Sequence, residues 1–272
     1  MQTTSERRVE RYSNGVRTAT SDRVAEETPV ALVYQGVPHV VMLATPADLE
    51  DFAIGFTVSE GLVANQGEIL DMRIEEGPAA IDVQLRIAPA RFSELLLRRR
   101  NLTGRSGCGL CGAETIEQAV RPLAAVPPGP EVDARELHEA LRDLSAHQPI
   151  NAQTGSVHAA GWVEAGKGLQ CVREDVGRHN ALDKTIGALL RAGSDLRKGY
   201  MLITSRASFE MVQKSATVGI GVLAAVSAPT GLAISVAEKA GLTLLGFARA
   251  GQLFTIAQIH SELISNCRNA MH

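Results

Sequence analysis

Tyr200-Met201-Leu202-Ile203-Thr204-Ser205-Arg206-Ala207-Ser208-Phe209-Glu210-Met211-Val212-Gln213-Lys214 is the stretch that decides the fold class of this chain. An apolar run, Tyr200 to Thr204, ends at a polar turn, and a helical pattern begins at Ser208. A short apolar run bounded by turn signals suits a buried strand, so the stretch reads as strand, loop, helix. The unit recurs on both sides. Val222 to Ser227 and Leu242 to Gly246 are further apolar strands, and Arg178 to Arg191 and Thr230 to Ala240 are further helices beside Ser208 to Val218. Such alternation predicts an α/β fold, a layered mixed sheet with helices on both faces.

In sheets of this kind ligands gather at the loops beyond the carboxyl ends of the strands. Three polar loops fall there: Arg173 to Asn180, Thr204 to Ser208, and Gly246 to Gly251. Each carries an Arg. Two of them precede helix N-termini, where free backbone N–H groups favour anions. Arg178, Arg206 and Arg249 are the phosphate candidates, since Arg grips phosphate bidentately. His179, near Asp175, reads as a hydrogen-bonded structural residue in preference to a proton relay. Asp183 and Lys184 are expected to pair along their helix, and Ser208 to cap the next, with Phe209 and Met211 packing. Glu210 forms no acid–base constellation with Ser208 or Met211.

Upstream the pattern is α+β. Thr28 to Leu43 reads as two strands around a Gly-Val-Pro turn, and Ile81, Val83, Leu85 and Ile87 alternate as a strand. Thr45-Pro46-Ala47-Asp48 looks like a helix start with Thr45 as N-cap, and Leu49, Phe52, Ala53 and Phe56 follow at helical spacing. Ala113 to Val120 reads as a short helix, Pro122 to Pro130 as a connector, and Asp133 as the cap of a helix carrying Leu137, Leu141 and Leu144. The expected organisation is a mobile arm over residues 1–27, an N-terminal α+β region over 28–121, and an α/β cofactor-binding domain over 122–272.

The chain has 272 residues, 45% hydrophobic and 21% charged, with net charge -3. That composition is globular, and the charge gives no general reason to expect nucleic acid or an anionic membrane as partner. Met1 to Glu27 is too polar for a signal peptide, and the apolar region Val218 to Val236 is broken by Ser227, Pro229, Thr230 and Gly231. Only 4 cysteines are present, so no disulfide framework is implied and a reducing cytoplasm is expected.

Two of those cysteines lie in Gly107-Cys108-Gly109-Leu110-Cys111-Gly112, below Arg105. Glycines free the backbone and strip side-chain cover, which suits thiols that other molecules must reach. Zinc lacks partners: there is no second Cys-x-x-Cys, Cys171 and Cys267 stand alone, and His158, His179 and His260 are scattered. His260-Ser261-Glu262 follows the pair, whereas the zinc deaminase signature places its His-x-Glu before it. Thiol–disulfide exchange usually needs a Cys-x-x-Cys that opens a helix after a strand, and here a basic polar stretch precedes it. Sulfur carriage needs an exposed thiolate free to swing, with Arg105 lowering its pKa. The residues alone leave the last two open.

Several motifs together resemble a known family, the formate dehydrogenase accessory sulfurtransferases or FdhD family. They are Glu27-Thr28-Pro29-Val30, Ala44 to Phe52, the Cys pair, Glu174 to Lys184, Ser205 to Lys214, Ser227-Ala228-Pro229-Thr230 and Gly246-Phe247-Ala248-Arg249. Gly231 stands where the family pattern has Ser. The resemblance implies a cytoplasmic sulfur carrier that accepts persulfide sulfur from a cysteine desulfurase. It would pass that sulfur to the molybdenum cofactor, bis-molybdopterin guanine dinucleotide, required by formate dehydrogenase. The persulfide would form on Cys108, with Cys111 assisting. Phe247, Ala248, Arg249, Ala250, Gly251 and Gln252, with Arg178, His179 and Arg206, would bind the cofactor, and a GDP-like nucleotide would occupy the same site. A homodimer and a cytidine-deaminase-like larger domain without the zinc site are also implied. The alternatives are a cofactor-binding chaperone without sulfur chemistry, or a Cys-x-x-Cys oxidoreductase.

Overall fold

The structure is a computed structural model that describes residues 1–102, 122–249, 252–257 and 264–265. The chain opens with an antiparallel hairpin, β1 (Thr4–Ser13) and β2 (Val16–Ala25). Asn14 and Gly15 join the strands at φ 50° and 78°, the type I′ turn that Asn-Gly prefers. Regular structure therefore occupies most of the expected arm. Its strands are nearly all polar and exposed, so no apolar alternation announces them, although Asn-Gly does.

A second sheet follows, built from β3 (Thr28–Tyr34), β4 (Val37–Ala44), β5 (Ile69–Glu76) and β6 (Ile81–Ile87) in the order β4-β3-β6-β5. Val30, Leu32, Tyr34, Ile81, Val83, Leu85 and Ile87 form its buried face. Phe52, Ala53 and Phe56 of α1 (Leu49–Ser59) and Leu95 of α2 (Pro89–Leu102) pack on it. The expected start of α1 needs correction. Its N-cap is Asp48, in left-handed backbone at φ 52° and with no side-chain cap bond. Thr45 is committed elsewhere, as described below.

After β7 (Val132–Asp133), Asp133 accepts from the N–H groups of Arg135 and Glu136 and caps α3 (Ala134–Ala146), as expected from its position. The short α4 (Pro149–Thr154) leads into the six-stranded sheet. Its strands are β8 (His158–Glu164), β9 (Gly168–Asp175), β10 (Gly199–Ile203), β11 (Val222–Ala225), β12 (Thr243–Arg249) and β13 (Gln252–Ala257), in the order β13-β12-β11-β10-β8-β9. The strands β10, β11 and β12 are parallel, and β8 runs against both β10 and β9. The helices α5 (Arg178–Arg191), α6 (Phe209–Thr217) and α7 (Gly231–Ala240) match the expected spans within a residue at each end. Leu182, Ile186, Met211, Val212 and Val236 from them cover one face of the sheet against Trp162, Met201, Ile203, Leu223 and Leu244. Leu137 and Leu144 of α3 cover the other, against Tyr200, Leu202 and Ala224. A last short strand, β14 (Ile264–Ser265), pairs with β7. Among the described residues, no helix is long and apolar enough to cross a membrane.

The two sheets are joined through α1 and α5, whose backbones touch at a pair of glycines. A Cβ on Gly55 would lie 1.7 Å from the carbonyl oxygen of Asp183, and one on Gly187 would lie 1.8 Å from that of Asp51. No side chain fits at either point.

Candidate functional site

The turn from β9 into α5, Glu174 to Lys184, is largely a suture between the sheets. Asp175 is fully buried and accepts from the N–H groups of Thr45 and Gly177, at 2.9 and 2.8 Å, and from Asn180 Nδ2 at 2.9 Å. Lys184 Nζ, also fully buried, lies 2.7 Å from Asp175 and donates to the Thr45 carbonyl at 2.9 Å. Thr45 in turn accepts from the Val176 N–H through its hydroxyl, and Asn180 reaches the Leu43 carbonyl. Glu174 accepts from the N–H groups of Ile150 and Asn151 at the start of α4. Every polar atom named here has a partner inside the fold, which is the requirement for buried polar groups. These residues are framework.

The expected Asp183–Lys184 pair does not form. Neighbours on a helix point about 100° apart and do not face each other. Lys184 instead pairs with Asp175, and Asp183 with Lys214 of α6, at 2.8 Å. Lys214 also reaches Glu60 at 2.7 Å and Ser59 at 3.1 Å, so it ties α5 and α6 to the end of α1. One turn earlier on the same two helices, His179 Nε2 lies 3.1 Å from Glu210 Oε2. His179 thus bonds across to α6 and not to Asp175. Ser208 stands at the N-cap position of α6, but its hydroxyl donates to Glu210 Oε2 at 3.0 Å and caps no backbone N–H. This Ser208–Glu210–His179 chain had no signal in the sequence, because its partners lie 31 residues apart.

What the framework leaves over faces one edge of the six-stranded sheet. The C-terminal ends of β9, β10, β11 and β12 and the start of β8 all lie there. The loops are stitched together: the Val226 N–H donates to the Ile203 carbonyl, that of Thr230 to Ala207, and that of Phe247 to Ser227. Neither α5 nor α6 has a side-chain cap on its N-terminal N–H groups, so that edge presents bare helix starts. Arg178 is half-buried and makes no ion pair among the described residues, and its Nε is buried without a hydrogen-bond partner. Arg206 is exposed on the neighbouring loop. An unpaired, partly desolvated guanidinium beside two uncapped helix starts is a place for an anion. Burial, reinforced by Arg178, pushes the His158 imidazole down despite Asp175. Burial likewise pushes His179 down, with Glu210 opposing and Arg178 and Lys214 assisting. Both rings are therefore neutral at pH 7.

Phe247 closes this edge in left-handed backbone, at φ 53°, where a non-glycine residue is strained. Ala248 beside it is fully buried. Of the expected cofactor residues, Ala250 and Gly251 lie outside the described residues, while Arg249 and Gln252 end β12 and begin β13. Cys108, Cys111 and the helix expected over Ala113 to Val120 also lie outside them. Cys171, which is described, sits half-buried 3.7 Å from Arg173, and burial raises its thiol pKa, the wrong environment for a thiolate. Among the described residues, no cluster of His, Cys, Asp and Glu could hold a metal.

Comparison with known proteins bears on this arrangement. The model of the FdhD/NarQ family matches residues 25–261. A sulfur carrier protein FdhD from Xanthomonas axonopodis pv. citri is 54% identical over 89% of this chain and 86% of its own. One of the same description from Cupriavidus necator is 52% identical over 89% and 84%. The fold resembles a crystal structure from Desulfotalea psychrophila assigned as a formate dehydrogenase accessory protein, with TM-score 0.74, 24% identity, and coverage of 97% of this chain and 100% of that one. At that identity the likeness speaks for the fold alone.

Proposed function

The chain belongs to the FdhD/NarQ family, and from that premise we propose that it is a cytoplasmic sulfur carrier serving formate dehydrogenase. In this reading the Cys108 thiolate attacks the outer sulfur of a cysteine desulfurase persulfide. A new S–S bond forms on Cys108 as the desulfurase thiolate leaves, and Cys111 stands by to assist. The outer sulfur is then handed to the cargo, the bis-molybdopterin guanine dinucleotide form of the molybdenum cofactor, as the S–S bond on Cys108 breaks and the Cys108 thiolate leaves.

The observation that supports this best is the anion-ready edge of the six-stranded sheet. The cargo is polyanionic, and Arg178 and Arg206 with the bare starts of α5 and α6 supply matching positive charge. Phe247, with Arg249 at the end of β12 and Gln252 at the start of β13, borders the same edge, and a GDP-like nucleotide fits that chemistry. The homodimer of this reading is supported by the outer edge of β4. Val41 and Leu43 there are 61% and 55% exposed, and no charged residue guards the strand, so two copies can meet without like-charge repulsion.

The test is to incubate the protein with a cysteine desulfurase and cysteine and map the added mass of about 32 Da, one sulfur. Cys108→Ala should abolish the adduct. A Cys108→Ala, Cys111→Ala protein that still fully activates formate dehydrogenase would instead favour a chaperone without sulfur chemistry.

A further inference from the structure

His179 joins the proposed site through one ring nitrogen only. Its Nε2 lies 3.1 Å from Glu210 Oε2, the oxygen that also accepts from Ser208 at 3.0 Å. An ionised carboxylate only accepts hydrogen bonds, as this one does from the Ser208 hydroxyl, so Nε2 must be the protonated nitrogen. Nδ1 then carries the lone pair. It has no hydrogen-bond partner among the described residues, and the ring keeps 26% of its side-chain surface exposed. The groups facing the ring are Glu210 and Lys214 from α6 and Arg178 beside it, and burial with the two cations keeps it neutral against the pull of Glu210. A neutral ring of fixed tautomer is a hydrogen-bond acceptor and has no charge to offer a phosphate.

We propose that Glu210 is a positioning residue that holds His179 as the Nε2–H tautomer, so that Nδ1 accepts a hydrogen bond from an N–H or O–H group of the bound nucleotide, while Arg178 takes the phosphates. The inference rests on the nucleotide-binding role proposed above for this edge. It divides the work of neighbouring residues: Arg178 reads charge, and His179 reads the nucleoside.

Two measurements on the full chain test it. Nitrogen-15 correlation spectra of the histidines should show His179 protonated on Nε2, and Glu210→Ala should turn that signature into a tautomer mixture. Calorimetry with GDP and with inorganic pyrophosphate should separate the roles. Glu210→Ala and His179→Ala should each weaken GDP about 3- to 10-fold, the worth of one neutral hydrogen bond, and leave pyrophosphate unchanged. The double variant should be no worse than His179→Ala, because both changes remove one contact. Arg178→Ala should weaken both probes. Unchanged pyrophosphate binding also shows that the variants keep a folded site. An Nδ1–H tautomer in the unaltered protein overturns the inference. So does intact GDP binding in Glu210→Ala and His179→Ala while Arg178→Ala weakens both probes, a result that leaves the anion site standing. A protein that binds neither probe, or an Arg178→Ala variant that binds both normally, overturns the site and this inference with it.

Discussion

Replacing Lys214 with methionine should be among the most damaging single changes outside the proposed site. The Lys214 side chain is 6% exposed and its ammonium meets Asp183 at 2.8 Å, Glu60 at 2.7 Å and Ser59 at 3.1 Å. Burial by itself would push Lys214 down, yet Asp183 and Glu60 outweigh it and the group is held up. Asp183 is fully buried, and burial raises its carboxyl even with Lys214 in place. The Lys214→Met change would keep the stem packing, including the place over the Phe56 ring 4.9 Å away, and remove the charge. Among the described residues, Asp183 would then keep only the Ser59 hydroxyl, at 2.7 Å, as a close donor. Breaking a buried pair by deleting one partner costs about 3–5 kcal/mol. With a urea m-value of about 3 kcal/mol/M, the midpoint should fall by about 1–1.7 M at pH 8. The deficit must also depend on pH. In the variant the Asp183 pKa is raised further above its ordinary 3.8, so the folded state holds a proton that the unfolded state has released. Stability from that proton is present at low pH and lost as pH rises through the raised pKa, so the deficit should shrink toward pH 5. Adding Asp183→Asn should recover about 2 kcal/mol by removing the stranded charge. A loss under about 1 kcal/mol at pH 8, or a deficit that does not change with pH, would refute the argument.

Other outcomes follow from the same geometry. Gly55→Ala and Gly187→Ala should each cost about 3 kcal/mol or more in denaturant titration, although helix propensity favours Ala by about 1 kcal/mol, because each Cβ would fall on a backbone carbonyl under 2 Å away. Asp133→Ala should lower stability by about 1 kcal/mol through loss of the α3 cap, with no effect on GDP affinity. Folding stability should fall as pH drops below 6.5, because burial depresses His158 and His179 and the unfolded chain takes those protons first. His158→Gln should flatten that fall, as read from midpoints at pH 7 and pH 5.5. Arg249→Ala should weaken GDP binding by about 1–3 kcal/mol in calorimetry, and unchanged affinity would remove Arg249 from the site.

Whereas Arg178 and Arg249, expected in loops, begin α5 and end β12, the α/β class, the three helices of the C-terminal half, the Asp133 cap and the loop from Thr204 to Ser208 were all legible in the residues. Each rests on a local rule: a period, a cap, or a turn between a strand and a helix, set by residues within a few positions of one another. The Asn14-Gly15 turn was equally local and marked a hairpin that the polar strands around it concealed. The tertiary structure alone decided who partners whom. Thr45 reads as a cap but serves Asp175, 130 residues away, and leaves Asp48 to start α1 in left-handed backbone. Asp183 and Lys184 are adjacent in the chain and point to different elements, Lys214 and Asp175. Glu210 acquires a role only because the glycines of α1 and α5 and the packing of α6 bring His179 to it. Charge pairs and tautomers depend on distances of about 3 Å between distant segments. Those distances come from how the helices pack, and no local pattern encodes them.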